Sequence, residues 1–274
     1  MSDNGQTSTL SEINVGQGNE SRKIAVMHSN APSNTDQSMA SADQSMGCVW
    51  LGGYRSHMEG SKAVALDLHA QSLGLACTRH DYSGHGQSGG AFIDGTISRW
   101  LEESLKVFTN YTKGPQVLVG SSMGAWIALR MVQELKKRGE LDRVKALLLL
   151  APAPDFTKEL YEPKLTDLER TALLEKGYFE VPTPYGPDPN IFTKKLFDDG
   201  EKNLVLQGVM DLGIPVHIIQ GMADPDVPWQ HAMKLMEHLP SEDVVITLIK
   251  DGDHRLSRDR DIAKMLQMVD GLIS

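Results

Sequence analysis

The chain is poor in cysteine, in basic clusters and in long apolar runs, and each shortage closes off a class of protein. Its two cysteines, Cys48 and Cys77, each sit in an apolar, strand-like segment, so they read as buried thiols rather than a bridge, and they resemble no metal site. Acidic residues outnumber basic ones, 36 against 27, for a formal charge of −9, and no block of Lys and Arg interrupts the excess. Such a chain is a poor partner for nucleic acid or for an anionic membrane. No apolar run approaches the ~20 residues of a membrane span, and the first thirty residues lack both a basic start before an apolar block and an Arg-rich amphipathic pattern. These absences predict a soluble protein of a reducing compartment, placed here in the cytoplasm. No internal repeat is evident, and the glycine-rich stretch 81–90, DYSGHGQSGG, lacks the P-loop lysine and does not match the dinucleotide fingerprint.

What is present has the length and rhythm of one large α/β domain. Residues 1–9 and 31–46 are rich in Ser, Asn, Gln and Asp, the composition of a tail and a long connection, so 1–12 is expected to be mobile and 13–274 to fold. Short strand-like pieces at 13–15 and 23–28 suit a hairpin at a sheet edge. Apolar strands at 48–51, 76–80, 117–119, 144–151, 216–220 and 244–249 then alternate with helical patterns, including 62–73, 97–112, 230–238 and 259–273. The nearly unbroken apolar run 144–151 is expected of a strand covered on both faces. The alternation predicts an α/β fold with a doubly wound, mostly parallel sheet.

Between 152 and 208 the rhythm lapses. This stretch carries Pro163, Pro182, Pro184, Pro187 and Pro189, a charged helical piece over 166–176, and exposed-looking Tyr161, Tyr178, Phe179, Tyr185, Ile191 and Phe192. A segment inserted between strands usually caps the pocket and shapes substrate choice, and an inserted helical cap is expected here; a surface excursion without a functional part is the plainer alternative.

The fold is organised around residues 116–126, QVLVGSSMGAW. An apolar strand meets Gly120-Ser121-Ser122-Met123-Gly124, and a helix follows, its apolar face marked by Ile127, Ala128, Met131, Val132 and Leu135 and its end by Lys136, Lys137, Arg138 and Gly139. A hydroxyl at the apex of so sharp a turn needs small neighbours, and Gly120 and Gly124 supply them, which makes Ser122 the candidate nucleophile. The backbone N–H of Met123, at the helix start, faces the place where negative charge would develop on an attacked carbonyl. A second such donor is expected from the loop GGYRS after the strand at 48–51, namely the N–H of Tyr54; Arg55 there either fixes the loop or meets an acidic substrate group.

A serine hydroxyl needs a base, and the base an orienting carboxylate. Asp224 and His254 follow the ends of later strands, which share one edge of a parallel sheet with the end of 117–119, so the three can converge although 102 and 30 residues separate them. Nine histidines compete for the role of base. His254 stands out through its polar Gly-Asp-His loop after the last strand, with His85 as rival. Asp226 rivals Asp224 as the acid, and Asp253 is expected to hold the turn.

LGGYRS, DYSGHGQS, DGTISRW, GSSMGAW, GMADPDVP and DGDHRLS, taken together, resemble the α/β-hydrolases, and among them the small serine hydrolases that include the mitochondrial acyl-protein thioesterase, acyl-glucuronide esterase and many bacterial relatives. The agreement runs from about residue 13 to the end; GSSMGAW and DGDHRLS are its more specific strings, whereas GHGxS and DxxVP are general to the fold. The resemblance implies hydrolysis of esters or thioesters, of small molecules or of acylated protein, with Ser122 as nucleophile, Asp224 as acid, His254 as base, the N–H groups of Tyr54 and Met123 as oxyanion hole, and neither metal nor cofactor. His57 stands where an acidic residue is expected. A C–C hydrolase, a perhydrolase and a non-catalytic binding protein on the same fold remain the alternatives.

Overall fold

The computed structural model describes residues 8–31, 46–184, 186–240 and 243–274. Two strands open the chain, β1 (Thr9–Val15) and β2 (Arg22–Ser29), paired antiparallel as the expected edge hairpin. There follow β3 (Gly47–Leu51), α1 (Ser61–Ser72), β4 (Ala76–His80), α2 (Ile97–Tyr111), β5 (Gln116–Ser121), α3 (Met123–Lys137) and β6 (Val144–Leu150). The inserted segment holds α4 (Asp167–Glu175), β7 (Tyr178–Val181), β8 (Asn190–Thr193) and α5 (Lys194–Gly200). The chain then returns through β9 (Val216–Gly221), α6 (Trp229–Glu237), β10 (Val244–Ile249) and α7 (Asp259–Ile273).

Eight strands form one sheet in the order β1-β2-β4-β3-β5-β6-β9-β10, parallel from β4 to β10. Its two faces follow from the two-residue period of a strand. Val49, Leu51, Leu118, Leu147 and Leu149 pack with α2, α3 and α6, while Cys48, Trp50, Val117, Val119, Ala146 and Leu148 pack with α1 and α7. Because both faces are covered, the central strands are apolar at most positions, as the nearly unbroken run 144–151 suggests. The two cysteines are register partners on β3 and β4, buried and unbridged, and burial alone pushes the Cys48 thiol up to about 12.

Three expectations need correcting. The sheet begins at Thr9, so residues 9–12 of the expected tail belong to β1; Thr9, Ser11, Glu12 and Asn14 leave the strand without an apolar run, which hides it from a search for one. Residues 1–7 and 32–45, which hold the rest of that tail and nearly all of the connection, lie outside the described residues. The inserted segment is not purely helical: β7 and β8 pair antiparallel and place Phe179 opposite Phe192. Both rings are buried, stacked with centroids 5.4 Å apart, where the sequence suggested exposure; Tyr185 lies outside the described residues. A Phe buried in this way contributes about 1.5–3 kcal/mol, and both rings join the same apolar core as Trp126, Leu149 and Phe156. The charged helix α4 is capped as its sequence allows, Thr166 and Glu169 exchanging side-chain and backbone hydrogen bonds.

Candidate active site

Strand β5 runs straight into Ser122, which has φ 54° and ψ −116°, and α3 starts at the next residue. A non-glycine residue in this region is strained and persists only where its surroundings hold it. They do: the Ser122 N–H donates to the Leu150 carbonyl at 2.9 Å, and the Ser122 carbonyl accepts from Ala125 and Ala153. The flanking glycines are required by close approach. A Cβ on Gly124 would lie 2.1 Å from the Leu51 carbonyl oxygen, and one on Gly120 would lie 2.6 Å from that of Gly124.

The ends of β9 and β10 are locked together in the same manner. Met222 and Ala223 donate to Ile249 and Gly252 carbonyls, and a Cβ on Gly221 would meet the Gly252 oxygen at 2.3 Å. This brings Asp224 and His254 to the rim beside Ser122. His254 Nε2 lies 3.0 Å from Ser122 Oγ, and His254 Nδ1 lies 2.8 Å from Asp224 Oδ2. An ionised carboxylate only accepts, so the proton sits on Nδ1 and leaves Nε2 free to accept from the hydroxyl. The carboxylate is held on all sides: its Oδ1 accepts the N–H groups of Asp226 and Val227 at 2.8 Å, and its Oδ2 also accepts from Gln220 Nε2 at 3.1 Å.

The rivals are occupied elsewhere. His85 is buried, donates from Nδ1 to the Ser83 carbonyl and accepts the Arg55 N–H on Nε2, and burial pulls its pKa down to about 4. Asp226 meets Asp224 through its backbone N–H and is among the residues that line the cavity beside Ser122. Asp253 accepts the Leu256 N–H at 2.9 Å and so holds the turn, as expected. Among the described residues, Asp224, Asp226 and His254 are the set whose ligand-type atoms lie within 4.8 Å of one another, and two of the three residues are hydrogen-bonded to each other.

A cavity of roughly 280 Å³ reaches Ser122 and His254. Tyr54, Arg55 and Met123 contribute to its wall, as do Phe156, Leu160 and Phe192 of the inserted segment. Tyr54 is the junction between the two: its ring stacks on Phe192 at 5.4 Å and its hydroxyl donates to the Ile191 carbonyl. Gly53 lies against the Ser122 turn, where a Cβ would come within 3.3 Å of the Ser122 Cβ. The Arg55 guanidinium donates to the Pro189 carbonyl at 2.6 Å and lies over the Phe92 ring, the loop-fixing role of the two weighed above. His57 is not among the residues that line the cavity, and its carbonyl accepts from Gly60 on the way into α1.

Two contributors escaped the sequence reading. Gln220 sits at the end of an apolar strand with nothing in its surroundings to mark it; three acceptors, the Gly221 and Val227 carbonyls and Asp224 Oδ2, surround its amide nitrogen. Asp81 accepts the N–H groups of Met58 and Gln87 and so organises the glycine-rich loop: a Cβ on Gly86 would fall 2.0 Å from its Oδ2. The glycines of that loop make room for a carboxylate of the chain itself.

Comparison with known proteins agrees with this architecture. The family model described as "Serine aminopeptidase, S33" matches residues 43–177. "Palmitoyl-protein thioesterase ABHD10, mitochondrial" of Pongo abelii is 32% identical over 231 residues, which are 84% of this chain and 74% of that protein. Among solved structures, the "Putative hydrolase" of Agrobacterium vitis S4 superposes with a TM-score of 0.92 at 54% identity, covering 97% of this chain and 99% of the other. Mouse alpha/beta hydrolase domain-containing protein 10 superposes with a TM-score of 0.79 at 29% identity, covering 97% and 98%. The chain belongs to the α/β-hydrolase family and is a serine hydrolase.

Proposed function

We propose that this enzyme's ester or thioester hydrolysis runs through an acyl-enzyme on Ser122. His254 Nε2 takes the hydroxyl proton as Oγ attacks the acyl carbonyl, and Asp224 steadies the imidazolium through Nδ1. The negative charge on the carbonyl oxygen rests on the N–H groups of Tyr54 and Met123. Collapse of the intermediate expels the alcohol or thiol, which receives the proton from His254; water then attacks the acyl-enzyme, with His254 as base again, and frees the acid and Ser122. Every step is served by the chain's own residues, so the reading invokes neither a metal nor a cofactor.

The observation that carries the reading is the unbroken hydrogen-bonded line from Asp224 Oδ2 through both nitrogens of His254 to Ser122 Oγ, at 2.8 and 3.0 Å, opening into a cavity. The substrates we assign are small acyl esters and thioesters, with acylated protein as a further substrate; support comes from the thioesterase name of the ABHD10 relatives. The residues around 152–208 act as the cap of this pocket, a role supported by Phe156, Leu160 and Phe192 in its wall. Cytoplasmic residence belongs to the same proposal, together with the absence of nucleic acid partners. What bears on residence is that no helix among the described residues is long and apolar enough to cross a membrane.

Ser122→Ala is expected to lower the turnover of p-nitrophenyl acyl esters on the order of 10⁵-fold or more, with the fold intact by circular dichroism. Undiminished turnover in that variant would refute the assignment.

A further inference from the structure

Beneath the site, on the face of the sheet that α1 covers, lies a charged group that the hydrolytic steps do not use. Lys62 stands in the first turn of α1 and is absent from the wall of the cavity. Its Nζ donates in two directions: to Ser121 Oγ at 3.1 Å and to the backbone carbonyl of Arg255. Ser121 is the residue before the nucleophile and Arg255 the residue after the base. One ammonium thus ties together the turn that carries Oγ and the loop that carries Nε2, two pieces of chain that otherwise reach the rim on separate strands, β5 and β10.

The position is an unfavourable one for a cation. Its surroundings exclude much of the water that would solvate it, and the N-terminal turn of a helix carries partial positive charge. The ammonium persists there because acceptors and acids surround it: Asp253 in the loop after β10, Asp224 in the loop after β9 and Asp261 on α7 favour the charge, while Arg255 opposes it.

We propose that Lys62 is a positioning residue for hydrolysis, its ammonium holding the Ser122 turn and the His254 loop at the separation that keeps Oγ within hydrogen-bond reach of Nε2. This rests on the reading of Ser122 and His254 given above. A general base works only over a few tenths of an ångström, so a strut between its two carriers acts on kcat and leaves substrate binding alone. The strut also titrates in an accessible range. Burial pulls the Lys62 ammonium down to about 8, against the pull of Asp253 and with the help of Arg255. Below that pH both hydrogen bonds are charge-assisted; above it the amine is neutral and both weaken. An alkaline limb in the profile is therefore assigned to Lys62.

The test is a pH profile of kcat and KM for a p-nitrophenyl acyl ester in four proteins: the wild type and the variants Lys62→Met, Lys62→Arg and Ser121→Ala. Thermal melts confirm that each is folded. The wild type is expected to lose kcat as pH rises through about 8. Lys62→Met should lower kcat about 10-fold at neutral pH, the effect of losing a charge-assisted bond, with KM within about twofold and the alkaline limb gone. Lys62→Arg should recover most of the rate and carry the limb beyond the measured range, since a guanidinium stays charged. Ser121→Ala, which removes one acceptor and leaves Lys62 in place, should lower kcat about threefold and shift the limb; it decides the matter if Lys62→Met fails to fold. Wild-type kcat and an unchanged alkaline limb in Lys62→Met, or in Ser121→Ala where Lys62→Met is unfolded, would overturn the proposal and leave Ser122 as nucleophile untouched. Full activity in Ser122→Ala would instead remove the reading beneath it.

Discussion

Asp224 and Asp155 are both buried carboxylates that accept backbone N–H groups, one at the rim of the sheet and one at the base of the inserted segment. Asp224 takes two N–H groups, the Gln220 amide and the His254 imidazole, so every side of it has a donor and one of those donors leads to Ser122. Asp155 takes the N–H groups of Val205 and Leu206 where the chain comes back from the insertion, and burial outweighs them and pushes its pKa up to about 6. The first carboxylate is organised for use and the second clamps the two ends of the segment above the pocket. The contrast extends to the surroundings. At the rim, backbone approaches so closely that only glycine fits at 120, 124 and 221, whereas the segment is held by ring contacts such as Tyr54 on Phe192.

The difference can be broken most sharply at Asp224. Asp224→Asn keeps the shape but presents an amide to Nδ1, which favours the wrong imidazole tautomer; kcat for an acyl ester should fall on the order of 10⁴-fold with the unfolding midpoint little changed. A loss below tenfold would show that the rim carboxylate is structural like its counterpart.

Next in size is the ring cluster. Phe192 is 1% exposed and packs on Tyr54, Phe179 and Tyr161, so Phe192→Ala should cost about 3–5 kcal/mol by denaturant unfolding and raise KM more than it lowers kcat. Unchanged stability would mean that the segment does not fold cooperatively with the sheet.

The smallest expected effect is on the dependence of stability on pH. Asp155 has a folded-state pKa above that of an unfolded carboxylate, so the native state binds the proton more tightly, and this group's contribution to stability is present in acid and lost as pH rises through about 6. His85 has the opposite sign: its pKa lies near 4, below that of a free imidazole, so its contribution is present above about 6.5 and is lost as pH falls towards 4. Relative to Asp155→Asn, the wild type should therefore gain up to about 2 kcal/mol between pH 6 and pH 4. A difference that is flat across that range would contradict the clamp.

Much of the rim was legible in the sequence because a parallel sheet puts strand ends on one edge and because glycine marks close approach. Ser122, Asp224 and His254 follow from strand ends, residue chemistry and the two flanking glycines, and the structure brings the three together. Gln220 was not legible, since an amide after apolar residues has no pattern of its own and its task exists only once the Asp224 loop folds back over it. The hairpin of β7 and β8 was hidden for a different reason. Prolines and polar residues between 182 and 190 imply a loop, and only tertiary contact with Tyr54 and Phe156 turns Phe179 and Phe192 into a core. Lys62 had no signal of its own within the helical pattern 62–73, because the acceptors of its ammonium come from positions 121 and 255.

The central claim is that Ser122 becomes covalently acylated with His254 as its base, and peptide mapping after labelling with a fluorophosphonate tests it most directly. The expected result is a single adduct on the peptide that contains Ser122, absent from Ser122→Ala and formed far more slowly in His254→Ala. An adduct on any other residue, or labelling of Ser122→Ala at the wild-type rate, would contradict the account.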